Sequence, residues 1–100
     1  SDIECYDTDY DSYFEVTLMC GRVDQVNNEI IPISRHLQEA KKNRKNEAFS
    51  VLIAPVIHPD TKEAAEWQKI KSGVDIITLD INEFLSALNT TQKPSHLLNL

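Results

Sequence analysis

The stretch that most constrains the fold is residues 48–54, Ala-Phe-Ser-Val-Leu-Ile-Ala, an almost unbroken apolar run that stops at Pro55. A strand with one wet face alternates apolar and polar side chains. A run without alternation reads as a strand covered on both faces, the kind found in a parallel or mixed sheet with helices on each side. At 100 residues the chain has room for one such domain with a modest core. Forty-one per cent apolar residues and only two glycines fit a packed unit rather than a disordered one.

The flanking segments supply the rest of such a sheet. Val74 to Leu79 is a second short apolar strand. Between the two, Asp60-Thr61-Lys62-Glu63 starts a helix that runs to about Ser72 and stops at Gly73, with Ala64, Trp67 and Ile70–Lys71 as its inward edge. Asp80 caps a last helix through Leu88, with Ile81, Phe84, Leu85 and Leu88 inward. Trp67 is read as core and not as a base-stacking platform, and His58 and His96 are read as structural.

The first third reads as a hairpin followed by a helix. Residues 1–7 and 12–20 are two strands, with turn chemistry in Asp7-Thr8-Asp9. If Asp2 faces Glu15, paired positions sum to seventeen, and Ile3 lies opposite Phe14 and Cys5 opposite Ser12. Ile3, Phe14, Val16 and Leu18 then share one face, and Asp2, Glu15 and Thr17 the other. Gly21 to Asn28 reads as a polar loop. A helix follows from about Asn28–Pro32, because proline is tolerated only in a first turn. Ile33, Leu37 and Ala40 form its buried stripe. Lys41, Lys42, Arg44 and Lys45 place positive charge at its end, either as a solvated terminus or as a contact to a nucleic-acid backbone. The order is strand, strand, helix, strand, helix, strand, helix. Right-handed crossovers then put helices on both faces of a mixed sheet.

A net charge of −6 argues against the unit gripping nucleic acid unaided, since neutralising phosphates supplies most non-specific affinity. No apolar run is long enough to span a membrane, and no signal peptide is legible. Cys5 and Cys20 fit no metal-ligand spacing, and the hairpin register keeps them apart. Reduced thiols in a cytoplasmic protein are the simple account. Ser1 and the interrupted helix start after Pro94 are expected of part of a longer polypeptide.

Four residues have a pattern that suggests chemistry. Asp2 and Glu15 oppose each other across the hairpin, an arrangement that weakens a bare hairpin by like-charge repulsion. Glu29 and His36 lie seven apart, on one helix face two turns long. Hydrolysis of a phosphodiester needs an activated water and stabilisation of negative charge, which magnesium supplies. Magnesium takes one or two carboxylates and keeps several waters, so Asp2 and Glu15 are a minimal pair, with the Val16 carbonyl as a further ligand. His36 would stand near the attacking water. Each part alone has a plainer reading: solvated hairpin carboxylates, a first-turn glutamate that complements the helix dipole, a surface histidine.

Taken together, Asp2 and Phe14-Glu15-Val16-Thr17-Leu18 resemble the PD-(D/E)XK nuclease signature in a variant where Glu-Val-Thr replaces Glu-x-Lys. The block Gly21, Gln25, Glu29-x-x-Pro32-x-x-Arg35-His36 is similar to type IIS restriction and nicking endonucleases of the AlwI, MlyI and BstNBI group. Val51-Leu52-Ile53-Ala54-Pro55-x-Ile57-His58-Pro59-Asp60-Thr61 is similar to a strand-to-loop segment of the same group. The resemblance spans nearly the whole chain. It implies a restriction-endonuclease-like α/β/α core with a mixed central sheet, magnesium dependence (manganese able to substitute), and double-strand cleavage or nicking in a bacterial cytoplasm. By position, Asp2 and Glu15 would be the metal carboxylates, and Glu29 and His36 would complete the site. Thr17 stands where the signature has lysine. A hydroxyl carries no positive charge, so His36 or a second ion would have to supply it. Ser1 stands where the signature has proline. The family's active site also draws a glutamate from an upstream helix, and its DNA-recognition domain lies upstream as well; neither falls within residues 1–100. The expected partners are double-stranded DNA reached through that upstream domain, and a second nuclease subunit or another copy of the chain.

Two other readings remain open from the sequence. One is a degenerate nuclease fold acting as a non-catalytic assembly module. The other is an unrelated α/β binding domain whose acidic residues are all surface, which predicts that the four side chains do not converge.

Overall fold

The apolar run forms the third strand of a four-stranded sheet in a computed structural model that describes residues 3–6, 9–19, 21–43, 46–90 and 93–99. The strands are β1 (Ile3–Tyr6), β2 (Tyr10–Val16), β3 (Glu47–Ala54) and β4 (Asp75–Asp80), side by side in the order of the chain. β1 and β2 are antiparallel, whereas β2, β3 and β4 are mutually parallel, so the sheet is mixed as expected. The hairpin register is the expected one, with Ile3 opposite Phe14 and Cys5 opposite Ser12. β2 spans Tyr10–Val16 where 12–20 was expected, and Leu18, placed on the apolar face, lies beyond its end and is 86% exposed. Cys5 carries a free thiol, and Cys20 lies outside the described residues.

β3 is buried at every position from Ala48 to Ala54, and alternation divides those side chains between two cores. Ala48 and Leu52 join Tyr13 of β2 under a helical arm that contributes Ile30, Ile33, Leu37 and Ala40, and under α3 (Pro59–Ser72) through Ala65. Phe49, Val51 and Ile53 face the other way, onto α4 (Ile81–Leu88) through Ala87 and onto a closing 3₁₀ segment, Pro94–Asn99, through Leu97. Helices therefore cover both faces. Among the described residues no helix is long and apolar enough to cross a membrane.

The helical arm is where the sequence reading needs most correction. It begins at Arg22, inside the stretch read as a loop, and runs as α1 (Arg22–Gln25), a π-turn (Val26–Ile30) and α2 (Ile31–Asn43). Pro32 is thus an interior residue. In a regular α-helix its missing N–H and its ring would collide with the carbonyl four residues back. The π-turn relieves this: the Ile31 N–H donates to the Val26 carbonyl five residues back, and the wider turn accommodates the proline. The stripe Ile33, Leu37, Ala40 is buried as expected. Arg44 and Lys45, assigned to the end of this helix, lie outside the described residues.

Two other inward faces differ from expectation. α3 packs through the small residues Thr61 and Ala65, leaving Trp67 58% and Ile70 76% exposed. Small side chains let that helix approach its neighbours closely, and the bulky ones turn outward. On α4 only Ala87 is fully buried and Phe84 half-buried, while Ile81, Leu85 and Leu88 are exposed. Two helix boundaries are set by chemistry the sequence displays. Asp80 caps α4 in a reciprocal box with Glu83, and Gly73 closes α3 in the left-handed conformation at φ 70°. The α3 cap itself is His58, not Asp60: its Nδ1 accepts from the Asp60 N–H at 3.1 Å.

Candidate active site

β2 and β3 run parallel, and the chain leaves both at the same edge of the sheet, through residues 17–19 and 55–58. In open α/β sheets the crevice outside the carboxyl ends of the strands is the usual ligand position. Glu15 is the next-to-last residue of β2, on the face that also carries Tyr13 and lies beneath the helical arm. Glu29 is in the π-turn and His36 on α2. Glu15, Asn28, Glu29, Pro32, Ile33 and His36 line one open cleft of about 280 Å³. Three of the four residues singled out from sequence therefore meet in one place, although two belong to a strand-and-turn pair and one to a helix further along the chain.

The other candidates stand as follows. Asp2 lies outside the described residues. Val16 ends β2 opposite Ile53, with its side chain exposed, and is not among the residues lining the cleft. Among the described residues no three His, Cys, Asp or Glu side chains gather tightly enough to hold a metal ion by themselves. Two cleft carboxylates are nonetheless the donor type a hard, heavily hydrated cation prefers, since magnesium keeps much of its water and takes only one or two protein carboxylates. Thr17, at the lysine position of the signature, has its hydroxyl oxygen engaged as acceptor for the Met19 N–H at 3.1 Å, which turns the chain out of β2. A hydroxyl carries no positive charge, so Thr17 brings none to the cleft.

Two features of the site needed the fold: the aromatic partner of His36, and the role of Gln25, which the sequence names only as part of the resemblance. Tyr13 is buried beneath the cleft, and its ring centre lies 5.2 Å from that of His36 at an interplanar angle of 53°, so the imidazole rests on an aromatic floor. Tyr13 is two residues before Glu15 on the same strand face; the period of two was the available signal, but only the helix position says which side chain it meets. Gln25, fully buried, makes four side-chain hydrogen bonds at this edge of the sheet. No local pattern marks a buried glutamine in advance.

Comparison with known proteins bears on this arrangement. The family model for the AlwI restriction endonuclease matches residues 1–87. No curated protein matches the chain. Among solved structures, the chain is similar to the small subunit (R.BspD6I2) of the heterodimeric restriction endonuclease R.BspD6I, with a TM-score of 0.79 and 22% sequence identity over 98% of the chain. At that identity the likeness establishes the fold, and the α/β architecture with its mixed sheet is that of a restriction endonuclease subunit. The chain spans about half the length of that subunit, covering 54% of it.

Proposed function

The chain belongs to the AlwI restriction endonuclease family, and from that premise we propose that it is the catalytic-core portion of a type IIS restriction or nicking endonuclease that hydrolyses DNA phosphodiester bonds with magnesium. The observation that carries this reading is the meeting of Glu15, Glu29 and His36 in one cleft at the carboxyl edge of the parallel strands. A surface scatter of acidic residues would have no reason to place a strand carboxylate, a π-turn carboxylate and an imidazole together.

In this reading Glu15 and Glu29 would hold the cation, with Asp2 supplying the second strand carboxylate and the Val16 carbonyl a further ligand. The observed register, with Ile3 opposite Phe14, is the one from which the expectation for Asp2 was made. Magnesium held there would supply activation of water and compensation of the phosphate's negative charge. His36, on the rim of the cleft, takes the proton from the attacking water at a ring nitrogen, with its plane steadied by Tyr13. The net charge of −6 leaves duplex binding to a recognition portion outside these residues, and cutting of the second strand to another subunit. The heterodimeric assembly of the similar structure is consistent with such a partner.

A second reading, a nuclease fold retained for assembly, draws on the similar structure's place as one subunit of a heterodimer. Calorimetric titration with magnesium or manganese decides between the two. Saturable binding in the wild type, lost in an Asp2→Ala/Glu15→Ala double variant, supports the nuclease. Absence of binding in the wild type calls for the same titration on a longer chain that carries the upstream helix: binding there assigns the missing ligand to that helix, and no binding there leaves the assembly module.

A further inference from the structure

We propose that Gln25 is a positioning residue for the cleft, a clamp that sets the helical arm carrying Glu29 against the strand carrying Glu15. This rests on the reading of the cleft as a divalent-cation site. The Gln25 side chain is 0% exposed, and every valence of its carboxamide is used. Nε2 donates to the Met19 carbonyl at 2.8 Å and to the Val56 carbonyl at 2.6 Å. Oε1 accepts from the His58 N–H at 3.0 Å and from the Thr61 hydroxyl at 2.8 Å. Two carbonyls on one side and two donors on the other fix which amide atom is which.

These four bonds join the parts of the chain that frame the site. Met19 belongs to the segment leaving β2, four residues after Glu15. Val56 and His58 belong to the segment leaving β3, and Thr61 to the first turn of α3. Gln25 itself closes α1 and immediately precedes the π-turn, four residues before Glu29. The carboxamide therefore touches both strand exits and α3 while sitting on the arm that bears the cleft carboxylate. Glutamate would set a carboxylate against two carbonyl oxygens. Methionine would leave two carbonyls, an N–H and a hydroxyl without their partner, a large cost in a buried place. Asparagine is one methylene too short to span the same groups. Only glutamine has two donors and two acceptors at this reach.

The test measures manganese affinity of the 100-residue protein, by electron paramagnetic resonance of free Mn²⁺, for wild type, Gln25→Met and Gln25→Glu. Leu97→Ala serves as a destabilised reference, since Leu97 is buried on the opposite face of the sheet. Outer groups that orient metal ligands typically change metal affinity by about 10-fold or more when removed. We expect that loss in both Gln25 variants, with Leu97→Ala binding Mn²⁺ as the wild type does even where its melting temperature falls as far. Folded Gln25 variants that bind Mn²⁺ with unchanged affinity overturn the proposal while leaving the cation site intact. A wild type that binds no Mn²⁺ overturns the cation site and the proposal together. Should neither Gln25 variant fold, Thr61→Val, which removes a single one of the four bonds, carries the test. A smaller loss of affinity in the same direction supports the clamp, and unchanged affinity overturns it.

Discussion

His36 and Tyr13 face each other across the floor of the cleft, ring centres 5.2 Å apart and planes inclined at 53°. One ring is exposed and the other buried, so the pair separates chemistry from folding. His36→Ala is expected to reduce magnesium-dependent nicking of plasmid DNA by about 100-fold or more, the usual contribution of a positioned general base. Its melting temperature should scarcely move, because exposed substitutions typically stay within about 0.5 kcal/mol. Tyr13→Ala should instead destabilise by about 3–5 kcal/mol, as for other buried aromatic residues. Paired nicking assays and thermal melts check both.

Pro32 tests whether the π-turn matters to the site. Alanine at this position restores an N–H and removes the ring, so the proline no longer opposes a regular α-helix through Val26–Ile30 and only the buried contacts of Gln25 and Ile30 still hold the wide turn. Pro32→Ala should melt no lower than wild type and gain less than the roughly 3 kcal/mol separating alanine from proline in a helix interior, since the wide turn already relieves part of that conflict. A regular register would also rotate Glu29 away from Glu15, so Mn²⁺ should bind more weakly. A higher melting temperature with unchanged affinity would show that the π-turn serves the proline alone.

Trp67 is the sole tryptophan and is 58% exposed beside Val23 and Ala64, in a groove between the arm and α3. Trp67→Ala should therefore lower stability by less than about 1 kcal/mol, where a buried tryptophan would cost about 3–5 kcal/mol. Acrylamide should quench the native fluorescence almost as readily as that of the unfolded chain. Strong protection from quenching would mean that the indole is covered.

These outcomes mark where a sequence can be read and where it cannot. The Ala48–Ala54 run announces a doubly covered strand because burial on both faces leaves no alternation, and the hairpin register follows from setting Asp2 opposite Glu15, which brings Ile3 opposite Phe14. The stripe Ile33, Leu37, Ala40 was legible for the same periodic reason. The arm's first turns were not: residues 21–28 are polar, and the tertiary anchors that make them helical, buried Gln25 and Ile30, act through partners distant in sequence. On α3 and α4 size suggests the larger apolar residues as the inward ones, whereas packing buries the small Ala65 and Ala87 against the sheet and Thr61 against Gln25. The cleft residues Glu15, Glu29 and His36 were found by spacing and resemblance; the Tyr13 floor and the Gln25 bonds needed the fold.

Gly73 holds the left-handed conformation that ends α3, with φ at 70° and open space where a Cβ would go. Gly73→Ala should cost about 1–2 kcal/mol from backbone conformation alone, with no clash to add. Its carbonyl accepts from Lys41 Nζ at 2.7 Å, and that exposed bond should survive the substitution. Chemical denaturation with an unchanged m-value checks the prediction, since only stability and not the surface exposed on unfolding should alter.

Asp80 ends β4 and begins α4 with no loop between them, and its carboxylate might be mistaken for a cation ligand because it lies at the carboxyl edge of a parallel strand. The hydrogen bonds assign it otherwise. Its Oδ1 accepts from the Glu83 N–H at 2.8 Å, and its own N–H donates to Glu83 Oε1 at 3.0 Å. Asp80→Ala removes the cap and should cost about 1 kcal/mol, while Asp80→Asn, which keeps an acceptor, should cost less. Because α4 packs on the face of the sheet opposite the cleft, neither substitution should change Mn²⁺ affinity. Urea unfolding and Mn²⁺ titration of the same two variants separate the roles: lower stability with unchanged affinity identifies a cap, and a fall in affinity would place Asp80 within the cation site.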